Sequence, residues 1–297
     1  MIVITAPTGD IGHQVLDNIL KTAAEGEHIR VIIRDPAALP VHARDRVEVV
    51  QGSHSDHDVV TQAFAGADSV FWLTPPDPHA DSAAAAYVDF TRPACEAFKA
   101  QGVKRVVIIT ALGRGTPWAA NAGHVTASLA MEDLIAATGV SYRALTMPSF
   151  MDNLLNQVEA IKTQGKFFSP ISADRKIPMV ATRDIAAVAA ALLLDDSWSG
   201  QQDVPVLGAE DLSNNDMAQI ISEVLAKPVT FQQIPGAAYK ARFTGFGMSD
   251  AMAQAMLDMA VAKDNGLDNA VTRTAKSSTP TTFRQWCEEV LKPAVLA

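Results

Sequence analysis

Six short apolar runs in the first half of the chain constrain its architecture most. They are 2–5 (IVIT), 29–33 (IRVII), 46–50 (RVEVV), 69–73 (SVFWL), 104–110 (KRVVIIT) and 141–146 (SYRALT). Each is rich in β-branched residues and nearly continuous in hydrophobicity, as strands covered on both faces of a parallel sheet are. Parallel neighbours need a long crossover, and the gaps supply helical patterns at 10–24, 57–65, 83–101 and 121–138. In the first of these, Ile11, Val15 and Ile19 form an apolar stripe with Leu16 and Leu20. Asp56 is placed to cap the second. Strand–helix–strand at this spacing, with right-handed crossovers, predicts an α/β fold with a doubly wound, Rossmann-like parallel sheet.

After residue 147 the rhythm breaks. A helix is expected over 150–164, then a long Ala/Leu helix opened by Asp184, and DVPVL at 203–207 as a further core strand. The stretch 210–275 reads as mostly helical and Met-rich. Methionines 248, 252, 256 and 259 recur at helical spacing, which reads as core between lobes. This predicts a nucleotide-binding domain over 1–150, with 178–208 returning to it. Residues 151–177 and 209–297 would form a smaller, mainly helical lobe on the substrate side.

A chain of 297 residues buries a full core without cross-links. Cys95 and Cys287 are far apart and lack CxxC or Cys/His companions, so neither a disulfide framework nor a zinc site is expected. The His/Asp-rich SHSDHD at 53–58 matches no metal-ligand spacing, and no metal is expected. The first residues enter a strand directly, without the charged region of a signal peptide. The longest apolar run, IAAVAAALLL at 185–194, is too short to span a bilayer. A cytoplasmic protein is expected. A formal charge of −9 argues against nucleic acid as a partner.

The first strand runs into ITAPTGDIG at 4–12, a turn of small residues that opens a helix. Gly9 and Gly12 are spaced as the last two glycines of GxxGxxG. A bare backbone at Gly9 lets a diphosphate approach peptide N–H groups, and Gly12 lets the helix pack on the strand. The helix start offers free donors and partial positive charge to an anion. Ala6 stands where the leading glycine would, tolerable if it keeps negative φ, and Pro7 removes one donor. The alternative is a tight turn without a ligand. At the end of the second strand, where NAD readers place an acid, Arg34 stands in VIIRDP. A guanidinium cannot accept from a ribose diol but pairs with a 2′-phosphate, which favours NADP(H) over NAD(H). Otherwise Arg34 forms a salt bridge to Asp35 or another surface acid.

These features, with VKRVVIITALG at 103–113, GVSYRALTMPSFMDNL at 139–154 and RKIPMVATRDIAAVAAALL at 175–193, resemble the NmrA-like, atypical short-chain dehydrogenase/reductase family. LSNNDMAQIISEVLAKPVTFQQIP and STPTTFRQW extend the resemblance over nearly the whole chain. It implies an NAD(P)-binding domain with a smaller C-terminal lobe. By position, it implies that Thr8, Gly9, Asp10, Ile11 and Gly12 face the pyrophosphate and that Arg34 meets the adenosine phosphate. Thr74 and Pro75 would line the dinucleotide path, and Thr110 and Ala111 the nicotinamide ribose. Pro148 to Phe150 would cover the nicotinamide. The acid often seen after the third strand is displaced, and the adenine contact among Ser53, His54 and Asp56 stays open.

The Tyr-xxx-Lys dyad of the larger superfamily is missing. HVTASLAME aligns His124, Ser128 and Glu132 with Tyr, Lys and Glu of Tyr-xxx-Lys-xxx-Glu, all on one helical face. His124 is therefore the candidate proton donor, its ordinary pKa lying near neutrality, or else a structural residue at a helix start. Hydride transfer needs orientation and dryness more than a dyad. The expectation is an NADP(H)-dependent oxidoreductase passing hydride to a small apolar electrophile: a quinone, dye or conjugated carbonyl. The alternatives are a non-catalytic NAD(P)(H) sensor with a protein partner, and an isomerase or lyase using the same pocket. A homodimer is compatible with all three.

Overall fold

In the computed structural model, which describes residues 1–22 and 27–297, the six predicted strands pair side by side in parallel. They are β1 (Ile2–Thr5), β2 (Ile29–Ile33), β3 (Glu48–Gln51), β4 (Ser69–Trp72), β5 (Arg105–Ala111) and β6 (Ser141–Met147). Short strands β7 (Ser149–Phe150), β8 (Lys166–Ser169) and β9 (Ile177–Val180) follow, then β10 (Gln201–Pro205), β11 (Asp211–Leu212) and β12 (Thr230–Gln233). The central sheet has seven strands in the order β10-β6-β5-β4-β1-β2-β3. This is the doubly wound, Rossmann-like α/β architecture.

The crossovers are helical. In chain order the helices are α1 (Gly12–Thr22), α2 (Val41–Arg44), α3 (His57–Phe64), α4 (Phe90–Gln101), α5 (His124–Ala136), α6 (Val158–Gln164) and α7 (Thr182–Leu194). Then come α8 (Asn214–Leu225), α9 (Gly236–Gly245) and α10 (Asp250–Asp264). The end of the first predicted helix, at 23–24, lies outside the described residues. Alternation along each strand feeds two cores. Ile2 and Ile4 join α1 and α7 on one face, while Val3, Val70 and Trp72 join α3, α4 and α5 on the other. Phe71 and Trp72 are fully buried, and truncating either to alanine costs about 3–5 kcal/mol.

Asp56 caps α3 as expected, accepting from the N–H groups of Asp58 and Val59 at 2.9 and 3.2 Å. The predicted helix at 83–101 contains Pro93 early in α4 and is wound as a π turn over Ala85–Asp89 just before it. A proline ring crowds the carbonyl four residues back, here that of Asp89. The wider turn relieves the crowding.

Other expectations need correcting. The segment 203–207 is not one core strand: β10 spans 201–205 at the sheet edge with Gln201, Gln202 and Asp203 exposed, and only Val206 and Leu207 behind it are buried. The stretch 150–164 is not one helix. Residues Met151–Gln157 form 3₁₀ turns, in which the Asp152 carboxylate accepts the Thr182 N–H and hydroxyl, both at 3.0 Å. Asp152 therefore caps α7 from another segment, and α7 begins at Thr182 rather than at Asp184. Asp184 is buried and accepts the Thr281 N–H and hydroxyl at 3.0 and 2.7 Å. Of the four methionines near α10, only Met252 is fully buried. A third core joins Met151, Ile161 and Phe167 to Ile221, Phe283 and Trp286.

Candidate functional site

Because the sheet strands run in parallel, the segments after β1, β2, β4, β5 and β6 leave the same edge. Thr5 pins the first of them: its hydroxyl donates to the Phe71 carbonyl at 2.9 Å and accepts the Leu73 N–H at 3.0 Å. The chain then turns at Ala6, whose φ is +48° rather than negative as expected. This conformation lets the Ala6 carbonyl accept the Gly9 N–H at 3.0 Å. A left-handed alanine costs about 1–2 kcal/mol, and glycine would avoid most of that. The same carbonyl closes on α1: a Cβ on Gly12 would lie 2.0 Å from Ala6 O. Gly12 is thus demanded by the fold itself.

Gly9 is different. Its φ is not left-handed, and a Cβ there would meet nothing closer than Ala6 O at 3.5 Å, an ordinary contact. The protein does not require glycine here, so the open space beside the turn is available to something else. Thr8 and Asp10 are exposed, while the Ile11 side chain is buried and can offer only its backbone. Among the described residues, the N–H groups of Asp10, Ile11 and Gly12 find no acceptor in the chain, whereas the His13 N–H bonds to Gly9 O at 3.0 Å. Bare space, free donors and a helix start together fit a diphosphate.

Arg34 is exposed at the end of β2. Asp35, the nearby acid, turns away to cap the next turn and accepts the Ala37 N–H at 3.0 Å. No carboxylate among the described residues pairs with the Arg34 guanidinium. His54 is buried beside it, with Nε2 3.0 Å from the Leu73 carbonyl. Burial, opposed by that hydrogen bond and aided by the charge of Arg34, lowers its pKa to about 4. The imidazole is neutral near pH 7, so Arg34 is the cation here. Asp56 is spent on α3.

The remaining predicted positions differ in what they offer. Thr74 is buried, its hydroxyl 3.2 Å from Met131 Sδ and 3.4 Å from the Thr91 hydroxyl, so only its main chain faces the edge. Pro75 is exposed. The following loop is tethered to α10: the Ser249 N–H and hydroxyl donate to Pro78 and Ala80 carbonyls at 2.9 and 2.7 Å. The Thr110 hydroxyl is 3.2 Å from that of Ser128, and Ala111 packs beside Val125 and Leu129. Pro148 is buried and Phe150 half-buried.

Phe150 and Asp10 line one cavity of about 430 Å³, together with His13, Gln14, Asn153 and Thr182. Two positions that the resemblance assigns to different parts of the dinucleotide path thus share one space. Its other walls were not foreseen. Gln14 Nε2 donates to Asp10 O at 2.6 Å and to the Thr182 hydroxyl at 3.0 Å, a contact across 168 residues with no local signal.

His124 is buried, with Nε2 3.3 Å from the Met252 carbonyl and its ring edge-on to Tyr87 at 5.9 Å. Burial lowers its pKa, only partly opposed by that hydrogen bond. Gly123 beside it touches α10 so closely that a Cβ would lie 2.0 Å from Ala255 O. This geometry suits a packing role, and the lowered pKa leaves little protonated imidazole near neutrality to give a proton. Ser128 and Glu132 are buried on the same face.

Comparison with known proteins places the chain in a family and among related folds. The model of the NmrA-like family matches residues 1–287. An NAD(P)H azoreductase from Xenophilus azovorans is 29% identical over 260 residues, 87% of this chain and 86% of that protein. Quinone oxidoreductase 2 from Escherichia coli is 25% identical over 284 residues, 95% of each chain. Its structure with NADPH superposes with a TM-score of 0.80, covering 96% of this chain and 98% of that one at 24% identity. The Citrobacter sp. triphenylmethane reductase with NADP(H) gives 0.78, covering 96% and 98% at 19% identity.

Proposed function

The chain belongs to the NmrA-like family, and on that premise we propose that it is an NADPH-dependent reductase of flat, conjugated acceptors of the quinone or dye type. The observation that carries this reading is Gly9: a glycine the fold does not need, beside three free N–H donors at a helix start. The reductase activities named for its azoreductase, quinone oxidoreductase and triphenylmethane reductase relatives support the acceptor class.

When bound, the nicotinamide would supply the hydride. The chain's own groups bind and orient. Asp10, Ile11 and Gly12 N–H groups hold the diphosphate, and Arg34 pairs with the 2′-phosphate. Phe150 and the cavity beside it shield the reacting face from water. His124, which aligns with the missing tyrosine, is buried against Met252, so the reduced acceptor takes its proton from solvent as it leaves the shielded site. That suits quinones and dyes, whose reduced forms protonate readily, better than simple ketones.

NADPH consumption, followed by absorbance across a panel of quinones, azo and triarylmethane dyes, enones and ketones, tests the reading. Turnover with the first two classes and not with ketones is expected. Tight NADPH binding without turnover on any acceptor would favour the second reading, a nucleotide sensor. The burial of His124 against Met252 is the observation on that side. Failure to bind any pyridine nucleotide would sink both.

A further inference from the structure

The segment after β5 is clamped to α5 by one guanidinium, and the proposed reaction does not use what it clamps onto. Arg114 Nη2 donates to Glu132 Oε1 at 2.9 Å and, more loosely, to the Leu129 carbonyl at 3.4 Å. Its Nη1 lies 2.9 Å from Asp133 Oδ1. Glu132 is 1% exposed, and its second oxygen, Oε2, is buried with no hydrogen-bond partner among the described residues. An under-bonded buried carboxyl is costly. Arg114 itself is 41% exposed, so water reaches its side of the clamp.

The clamp sits at a sensitive place. Thr110 ends the buried part of β5 and meets the Ser128 hydroxyl one turn before Glu132. The next residues follow the sheet edge: the Leu112 N–H donates to the Met147 carbonyl at 3.2 Å, and Thr116 closes a turn on Gly113 O. By the proposed NADPH site, on which this inference rests, the nicotinamide ribose would lie against this stretch.

We infer that Glu132 is a positioning residue for the cofactor: through Arg114 it fixes residues 111–116 at the sheet edge, and its ionisation sets how firmly. Three neighbours tune that ionisation, Asp203 from β10, Arg114 from the loop and Thr110 from β5; Asp133 on α5 shares the Arg114 guanidinium, and Tyr142 on β6 feels the Glu132 charge. Burial, then Asp203, push the carboxyl up against the pull of Arg114 and the Thr110 hydroxyl, and the balance leaves it at about 7. Releasing Arg114 removes its share of that pull. By linkage, ionised Glu132 favours the clamped segment and neutral Glu132 the loose one.

The test compares wild type, Glu132→Gln, Arg114→Ala and Arg114→Lys at about pH 6 and about pH 8, either side of neutrality. Amide exchange of 111–116 in the cofactor-free protein, corrected for intrinsic rates, reads the clamp. NADPH Kd, from nucleotide fluorescence, reads its effect. In wild type, exchange should slow and Kd tighten roughly threefold to tenfold as pH rises. Glu132→Gln and Arg114→Ala should be flat in both, at the acid wild-type level, and Arg114→Lys should recover part of the response. Should Glu132→Gln not fold, Arg114→Ala, on the solvent side, makes the same comparison. Exchange in these variants that keeps the wild-type pH response overturns the inference, whether or not NADPH binds. A normal exchange response with no NADPH binding by any form overturns the cofactor site instead, and with it the role of Glu132 towards a ligand.

Discussion

Gly9 and Gly12 stand three residues apart, yet the structure assigns them opposite debts, and alanine at each separates fold from function. At Gly12 the new Cβ would lie 2.0 Å from Ala6 O and 2.8 Å from Ala6 C, both backbone atoms already committed to the turn. Relief requires moving α1 off β1, an overpacking cost of about 1–3 kcal/mol or more. In a chain of this length that lowers Tm by roughly 2–4 °C per kcal/mol. At Gly9 the nearest chain atom is 3.5 Å away. There Gly→Ala should change stability by less than about 1 kcal/mol, and it can even stabilise by restricting the unfolded chain. The methyl group would instead occupy the approach of the diphosphate. Losing one charge-assisted N–H contact, worth about 1.5–3 kcal/mol, weakens binding roughly 10- to 150-fold. Thermal melts of the cofactor-free variants and calorimetry with NADPH measure both sides. A folded Gly9→Ala protein that binds NADPH as wild type does would refute the reasoning, as would a Gly12→Ala protein with an unshifted melt.

Three further outcomes follow from the geometry. Arg34→Ala, removing a guanidinium with no carboxylate partner among the described residues, should cost NADPH roughly 10- to 100-fold in affinity and leave NADH almost unchanged; equal affinities for the two nucleotides in wild type would remove the argument. Ala6→Gly should raise stability by up to about 1 kcal/mol in urea melts, the left-handed strain being partly offset by the freer unfolded chain; a clear loss of stability would contradict the turn as described. For Glu132 the folded pKa is raised, so the protonated form favours the fold. That stability is fully present below the ordinary glutamate value and is lost as pH rises through neutrality, on the order of 2–3 kcal/mol. Urea melts across that range should show the slope in wild type and not in Glu132→Gln, and an unchanged slope would count against it.

How much was legible follows from the range of the forces involved. The six strands and their crossover helices are written in local periodicity, and the topology of parallel strands then places residues 8–12, 34, 74–75, 110–111 and 148–150 along one sheet edge. The Asp56 cap was legible because a cap bonds within three residues. The sign of φ at Ala6 was not, since it depends on closure against Gly12. The edge position of β10 was hidden by Val204, Val206 and Leu207, which read as core whether the strand is central or outermost. The helix expected at 150–164 failed because Asp152 is recruited by Thr182, thirty residues on. Separation in sequence likewise hid the cavity wall formed by Gln14 with Thr182, 168 residues apart, and the Arg114–Glu132 clamp, 18 apart. The aligned His-Ser-Glu face drew attention to its first member, whereas the buried, under-bonded group is its last.

The polar last strand of the sheet has a consequence for how molecules of this protein avoid one another. An open rim is a template onto which a foreign strand can be stitched. Here Gln201, Gln202 and Asp203 keep that rim wet, and Pro205 lacks the N–H that a newcomer would need. Polymerisation through this border is therefore discouraged at its source, and an apolar substitution such as Gln202→Val would invite it.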